Sequence, residues 1–146
     1  MSGTWHFYGQ ALEKIGEGLI DIDTDTFHLM LTTSTYTPNQ DTHVFRSDVT
    51  NEVGSSGTYT TGGGNALTGV SSTYDAATNQ YRISWTSPSY TSATITARTA
   101  VIYKNRGGAA TADELLAYCT EASDVTSTAG TFTVTLPSPT LYITAS

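Results

Sequence analysis

A chain of 146 residues is long enough to close one hydrophobic core and too short for two comfortable domains. Its formal charge of −7, with six Lys and Arg residues scattered singly, leaves no basic patch to neutralise a row of phosphates, which argues against nucleic acid as a partner. One cysteine excludes an internal disulfide, and no stretch approaches the roughly 18 apolar residues of a membrane span.

The start, MSGTWHFYGQ, has neither a basic n-region nor an apolar h-region, so a soluble chain made in the cytoplasm is expected. Tyr8, Ala11, Leu12 and Ile15 follow the i, i+3, i+4, i+7 spacing of a helix stripe, with Gly16 and Gly18 as a stop. A short N-terminal arm and helix over about residues 5–18 is the prediction. Phe27 to Thr33 reads as a compact apolar strand, and Thr35 to Asp41 as a loop. Ser47 is placed to cap a single helical turn ending at Gly54. The stretch GSSGTYTTGGGNALTG is dense in glycine and hydroxyls, as a flexible surface loop or hairpin arm would be.

From Leu67 onward the alternation is steady. LTGVSSTYD and YRISWT flank a turn at AATNQ, a hairpin signal, with Tyr81, Ile83 and Trp85 on one face. ATITARTAVIYKNRGG is the longest strand candidate, placing Ile95, Ala97, Thr99 and Val101 on one side, with a turn at Asn105 to Gly108. Leu115–Thr120, Thr131–Leu136 and Thr140–Thr144 bring the total to about seven to nine strands, the number expected of a two-sheet sandwich. Thr, Ser, Gly and Tyr are abundant while Glu, Lys and Leu are scarce. The fold class is mainly β: one antiparallel β-sandwich or jelly-roll-like barrel over 1–146, with one short N-terminal helix.

Asp21, Asp23 and Asp25 alternate, which on an extended chain would put three carboxylates on one side. A helix-loop-helix calcium loop counted from Asp21 needs glycine at Thr26 and glutamate at Thr32, so that pattern fails. A tight turn in which carboxylates and hydroxyls bond nearby amides is the expectation, with a loose cation site or a carboxylate pair for glycoside hydrolysis as the alternatives. His6, His28 and His43 have no metal-ligand spacing, and GSSG at Gly54 lacks the Gly-x-Ser-x-Gly elbow. Gly62–Gly64 and Gly107–Gly108 lack the lysine-serine continuation of a phosphate loop. Cys119, in an apolar strand without a nearby base, reads as a buried inert thiol. No catalytic residue, metal or cofactor is assigned.

DIDTDTFHLMLTTSTYTPNQDTHVFRSDVTNEV, followed by GTYTTGG, TYDAATNQ, SATITARTAVIYKNRG and a Thr-rich terminal strand pair, resembles a family of small virion structural proteins of tailed bacteriophages. Members have a short Leu- and Ala-rich helix, then DLDTDT and an apolar strand, SSYTP, an Asp-His-x-Phe segment and TARYAVIY. The likeness runs in order from about Tyr8 to Ser146; His28, Met30 and Thr99 depart from it at packing positions.

The resemblance implies a non-enzymatic cement or decoration protein, made in the host cytoplasm and bound to the capsid exterior of the virion. Its partners would be the major capsid protein and further copies of itself as a trimer or dimer. An acidic chain is repelled by packaged DNA, which favours the outer face. Trp5, Phe7 and Tyr8 are the expected interface anchors, unless these rings cover the chain's own core. The Gly54–Asn65 arm, with Tyr59, Gly62 and Gly63, is a second interface candidate through strand addition. Three rivals differ in kind: a tail or baseplate component, a carbohydrate-binding module stacking sugars on Trp5, Trp85 or Tyr90, and a hydrolase using Asp21–Asp25.

Overall fold

The computed structural model describes residues 1–146. Strand β1 (Trp5–Phe7) leads into helix α1 (Gly9–Gly16), and β2 (Phe27–Thr32) follows; after a long excursion come β3 (Asn65–Ala66), β4 (Ser71–Asp75) and β5 (Gln80–Ser84). Two long strands, β6 (Ser89–Lys104) and β7 (Leu115–Thr133), precede the last, β8 (Leu141–Thr144). Two antiparallel sheets result, a five-stranded one ordered β1-β7-β6-β2-β3 and a three-stranded one ordered β4-β5-β8. They face each other as a sandwich and do not close into a barrel. No helix is long and apolar enough to cross a membrane.

Why the central strands read as apolar runs is clear from their surroundings. In β2, Phe27, Leu29 and Leu31 point to one face and His28, Met30 and Thr32 to the other, and all but His28 are buried. The first face meets the three-stranded sheet, where Phe27 packs edge-on against Trp85 with ring centroids 5.5 Å apart. The second face is covered by α1 and the 33–53 excursion, with Tyr8 against Tyr118 at 4.8 Å. Each fully buried Leu, Ile or Phe contributes about 1.5–3 kcal/mol through the hydrophobic effect. One cluster of 30 buried residues joins both sheets and this outer cover.

Four elements differ from the sequence reading. Thr131–Leu136 is not a separate strand start: β7 runs from Leu115 to Thr133 as one strand and pairs with β6 on both sides of Glu121–Asp124. The pair is bent by irregular registers, most strongly where Ala97–Thr99 of β6 faces Val125–Thr120 of β7 and Glu121–Asp124 are left over. Ser47 caps nothing; the turn at Arg46–Asp48 is held by Asp48, whose carboxylate accepts the Val44 and Phe45 amides at 2.8 and 3.0 Å. Leu12, counted in the helix stripe, is 44% exposed, while Tyr8 and Ala11 face inward. The strand expected from Leu67 begins at Ser71.

The outer cover is fastened by ion pairs. Asp113, fully buried, receives Arg46 Nε at 2.8 Å and the Arg106 amide at 2.9 Å, and the Arg46 guanidinium lies over the Tyr103 ring. Glu114 next to it takes the Arg106 guanidinium through both oxygens. Removing Asp113 leaves a half-buried guanidinium and an amide without an acceptor. Asp113→Ala is therefore expected to cost about 3 kcal/mol or more in urea unfolding, whereas Asp124→Ala, which loses only the exposed pair to Arg98, should cost under about 1 kcal/mol.

Candidate functional site

The three alternating aspartates do not converge. Asp21 Oδ1 accepts the Asp23 amide at 3.0 Å, Asp25 Oδ2 accepts the Asp21 amide at 2.7 Å, and Asp23 receives the Ser72 hydroxyl. Asp25 also pairs with Lys104 at 2.8 Å, and that ammonium donates to the Leu19 carbonyl as well. This is a turn closed by its own side chains, and it joins the two sheets. No group of three or more His, Cys, Asp or Glu side chains is placed to hold a metal ion.

The histidines are dispersed in the same way. His28 Nε2 accepts the Asn105 side-chain amide at 3.0 Å, and burial lowers the ring's pKa. His43 Nδ1 accepts the Asn39 amide, so the Tyr36 hydroxyl, 2.9 Å away, donates to it, and the Tyr8 hydroxyl donates to Tyr36. Burial raises the pKa of both phenols, Tyr36 to about 12, so they remain protonated donors. This chain of hydroxyls ties the start of α1 to the 36–43 loop. Cys119 is buried, and desolvation, with Glu121 nearby, pushes its thiol up to about 11, which removes its nucleophilic character at neutral pH.

The glycine-rich segment is a fixed clasp rather than the flexible arm expected from composition. Gly62, Gly63 and Gly64 all have positive φ, at 102°, 115° and 72°. Their geometry cups the Glu52 carboxylate, which accepts the Gly62 and Gly63 amides at 3.0 Å and the Tyr59 hydroxyl at 2.9 Å. Tyr59 is buried, and its oxygen accepts the Leu31 amide at 3.0 Å, sealing the edge of β2 beyond the short β3. The Tyr103 hydroxyl donates to the Gly63 carbonyl at 2.7 Å. Tyr59 and Gly63 thus bond to this chain's own sheet, and Gly62 to the Glu52 carboxylate beside it.

Of the N-terminal aromatics, Trp5 and Tyr8 are 8% and 1% exposed and belong to the chain's own core, while Phe7 is half-buried. Phe7 opens onto the one substantial concavity of the surface, a groove of about 610 Å³. Its walls are β1 and Leu12 of α1 on one side and Pro137, Pro139, Leu141 and Tyr142 on the other. Leu12 and Tyr142, at 44% and 54% exposure, are two of the five large apolar side chains left in solvent. The sequence signals for this groove, a lone exposed leucine and a terminal tyrosine, have no spacing that could join them.

Backbone geometry adds to the groove. The Tyr8 amide donates to the Leu116 carbonyl, and His6 lies opposite Tyr118, so in β1 the even-numbered residues bond β7. The amides and carbonyls of Trp5 and Phe7 therefore point away from the sheet. Only the Phe7 carbonyl is occupied there, by Gln40 Nε2 at 2.8 Å. By the same alternation the Ala145 amide bonds Asn79, which leaves the backbone groups of Tyr142 turned away from β5. A groove with apolar side chains along both walls and His6, Gln40 and Thr140 between them, bordered by two unpaired sheet edges, can bind an extended chain. No family model, characterised protein or solved structure matches this sequence or its fold.

Two measurements test the internal architecture. A Cβ on Gly64 would overlap the Leu29 carbonyl oxygen, while one on Gly54 meets nothing within 4 Å. Gly64→Ala is expected to lose about 3 kcal/mol or more in denaturant unfolding and Gly54→Ala about 0.5 or less; equal tolerance would restore the flexible-arm reading. His28 is held neutral in the fold, so its contribution is complete above the unfolded value of about 6.5 and declines as pH falls below it. Between about pH 6.5 and 5 the melting temperature of His28→Gln should therefore fall less than that of the wild type.

Proposed function

We propose that this chain is a structural protein of a tailed-bacteriophage particle, a cement or decoration protein that binds the outside of the head and bridges capsid subunits. The order of motifs from Tyr8 to Ser146 supports the family, and one structural observation carries the binding role: an exposed, partly apolar groove edged by backbone groups without partners. Binding through such a surface needs no reactive group. The gain in shell strength is the binding free energy for the assembled state, multiplied over a symmetric lattice.

Charge supports the same address. All six basic side chains are within ion-pair distance of a carboxylate, so the unbalanced charge at the surface is negative and disfavours packaged DNA as a neighbour. The burial of Trp5, Trp85 and Tyr90, at 8%, 5% and 3% exposure, weighs against the carbohydrate alternative, which would stack sugars on those rings. A tail or baseplate position in the same particle uses the same binding logic and is distinguished by the location of labelled chain in electron micrographs of virions.

The deciding experiment mixes purified protein with undecorated heads and follows co-sedimentation and the temperature of shell rupture. Saturable binding with a rupture temperature raised by several degrees, about what ligand linkage gives at concentrations well above Kd, is the expected result. Heads that neither bind the protein nor gain stability would move it to the tail or to an adhesive role.

A further inference from the structure

Thirteen acidic side chains face six basic ones. Six carboxylates pair with those cations. Of the others, Asp21, Asp48, Glu52 and Glu121 accept backbone amides, and Asp23 accepts a serine hydroxyl. Glu13 and Asp41 alone have no hydrogen-bond or ionic partner. Each directly follows a residue that lines the groove, Leu12 and Gln40.

We propose that the groove between β1 and β8 is the docking site for an extended segment of a partner protein, apolar at alternate positions and bearing a lysine or arginine, which adds as a strand to the free edge of β1. Three features define that occupant. Unused backbone groups at Trp5 and Phe7 require a chain that donates and accepts main-chain hydrogen bonds. Phe7, Leu12, Leu141 and Tyr142 form the apolar wall that alternate side chains of such a strand would meet. Glu13 and Asp41, exposed, without partners and each next in sequence to a lining residue, supply attraction for a cation. At about 610 Å³ the groove lies within the roughly 300–1,000 Å³ of cavities that hold small ligands, room for the inward side chains of a short strand.

A second copy of this chain fits less well. Its six cations are already paired, and its Met1 ammonium donates to the Thr133 carbonyl. A second copy would have to break one of these pairs to bring a positive group to Glu13 and Asp41. The proposal rests on the functional reading only for the identity of the partner, which would be a capsid subunit.

Selection of random peptides about 12 residues long, twice a typical strand, against the purified chain tests the groove without heads. Enriched peptides should alternate apolar residues and carry Lys or Arg. Their binding should weaken at least about tenfold with Leu12→Lys or Tyr142→Asp, and by a similar factor with Glu13→Lys and Asp41→Lys combined. All these positions are on the surface, and unchanged melting temperatures verify folding. No enrichment, acidic consensus peptides, binding indifferent to these variants, or a dimer of the chain abolished by Leu12→Lys would each overturn the proposal. Heads separate the two readings: Leu12→Lys binding heads as tightly as wild type defeats the groove and spares the cement role. Groove-dependent peptide capture with no head binding does the reverse.

Discussion

A sheet whose central strands are buried on both faces needs two covers, and this chain has only one small second sheet to offer. β4, β5 and β8 protect the side of β2, β6 and β7 that carries Phe27, Leu29 and Leu31. The opposite side, with Met30, Thr32, Val101 and Thr99, must be covered by α1 and by the excursion between β2 and β3. Loops laid over a core bring their backbone amides with them, and a buried amide without an acceptor costs about 1–3 kcal/mol. Supplying those acceptors is the constraint from which much of the remaining structure follows.

Carboxylates meet it. Asp48 takes two amides of the 44–48 turn, Glu52 takes two from the glycine clasp, and Asp113 takes the amide of Arg106. For Asp48 these bonds, the Phe45 amide foremost, hold the carboxyl below its usual range. The acidity of the chain is thus in good part structural, a consequence of building an ordered layer from loops in place of helices. Charge-assisted bonds of this kind are stronger than neutral ones, which suits segments with little repetitive hydrogen bonding of their own.

What could be read in the sequence was whatever repeats locally. Alternation exposed β4, β5 and the inner half of β6, and the aspartate run was legible as a turn because Asp and Thr side chains reach their own backbone. The stretch EASDVTSTAG of β7 was not legible, although the TFT that follows it was read as a strand start. One side of that ribbon faces solvent and Glu121–Asp124 interrupt the pairing, so no period survives in the residue types. Glycine misled in the other direction. A run of three glycines is equally compatible with freedom and with a backbone forced to positive φ, and only the position of Glu52 and Tyr59 in space distinguishes the two. The groove was invisible for a third reason. Its walls come from residues 3–12, 40 and 137–142, and no local pattern connects segments so far apart.

Unpaired edges complete the argument. An exposed strand edge is a template for unwanted pairing, and this fold limits most of its own: β3 is two residues long, Tyr59 seals β2 beyond it, and the irregular stretch at Glu121–Asp124 breaks the outer line of β7. β1 is treated differently. It is only three residues long, and Gln40 occupies one of its outward carbonyls, yet its remaining groups face a groove walled by Leu12 and Tyr142. Short length and one capped carbonyl restrain indiscriminate pairing, while the apolar side chains beside the edge are what a complementary strand would have to match. In the five-stranded sheet, edges shortened or sealed elsewhere and left open beside one groove are what a chain needs if it is to stay separate until it meets a single kind of partner.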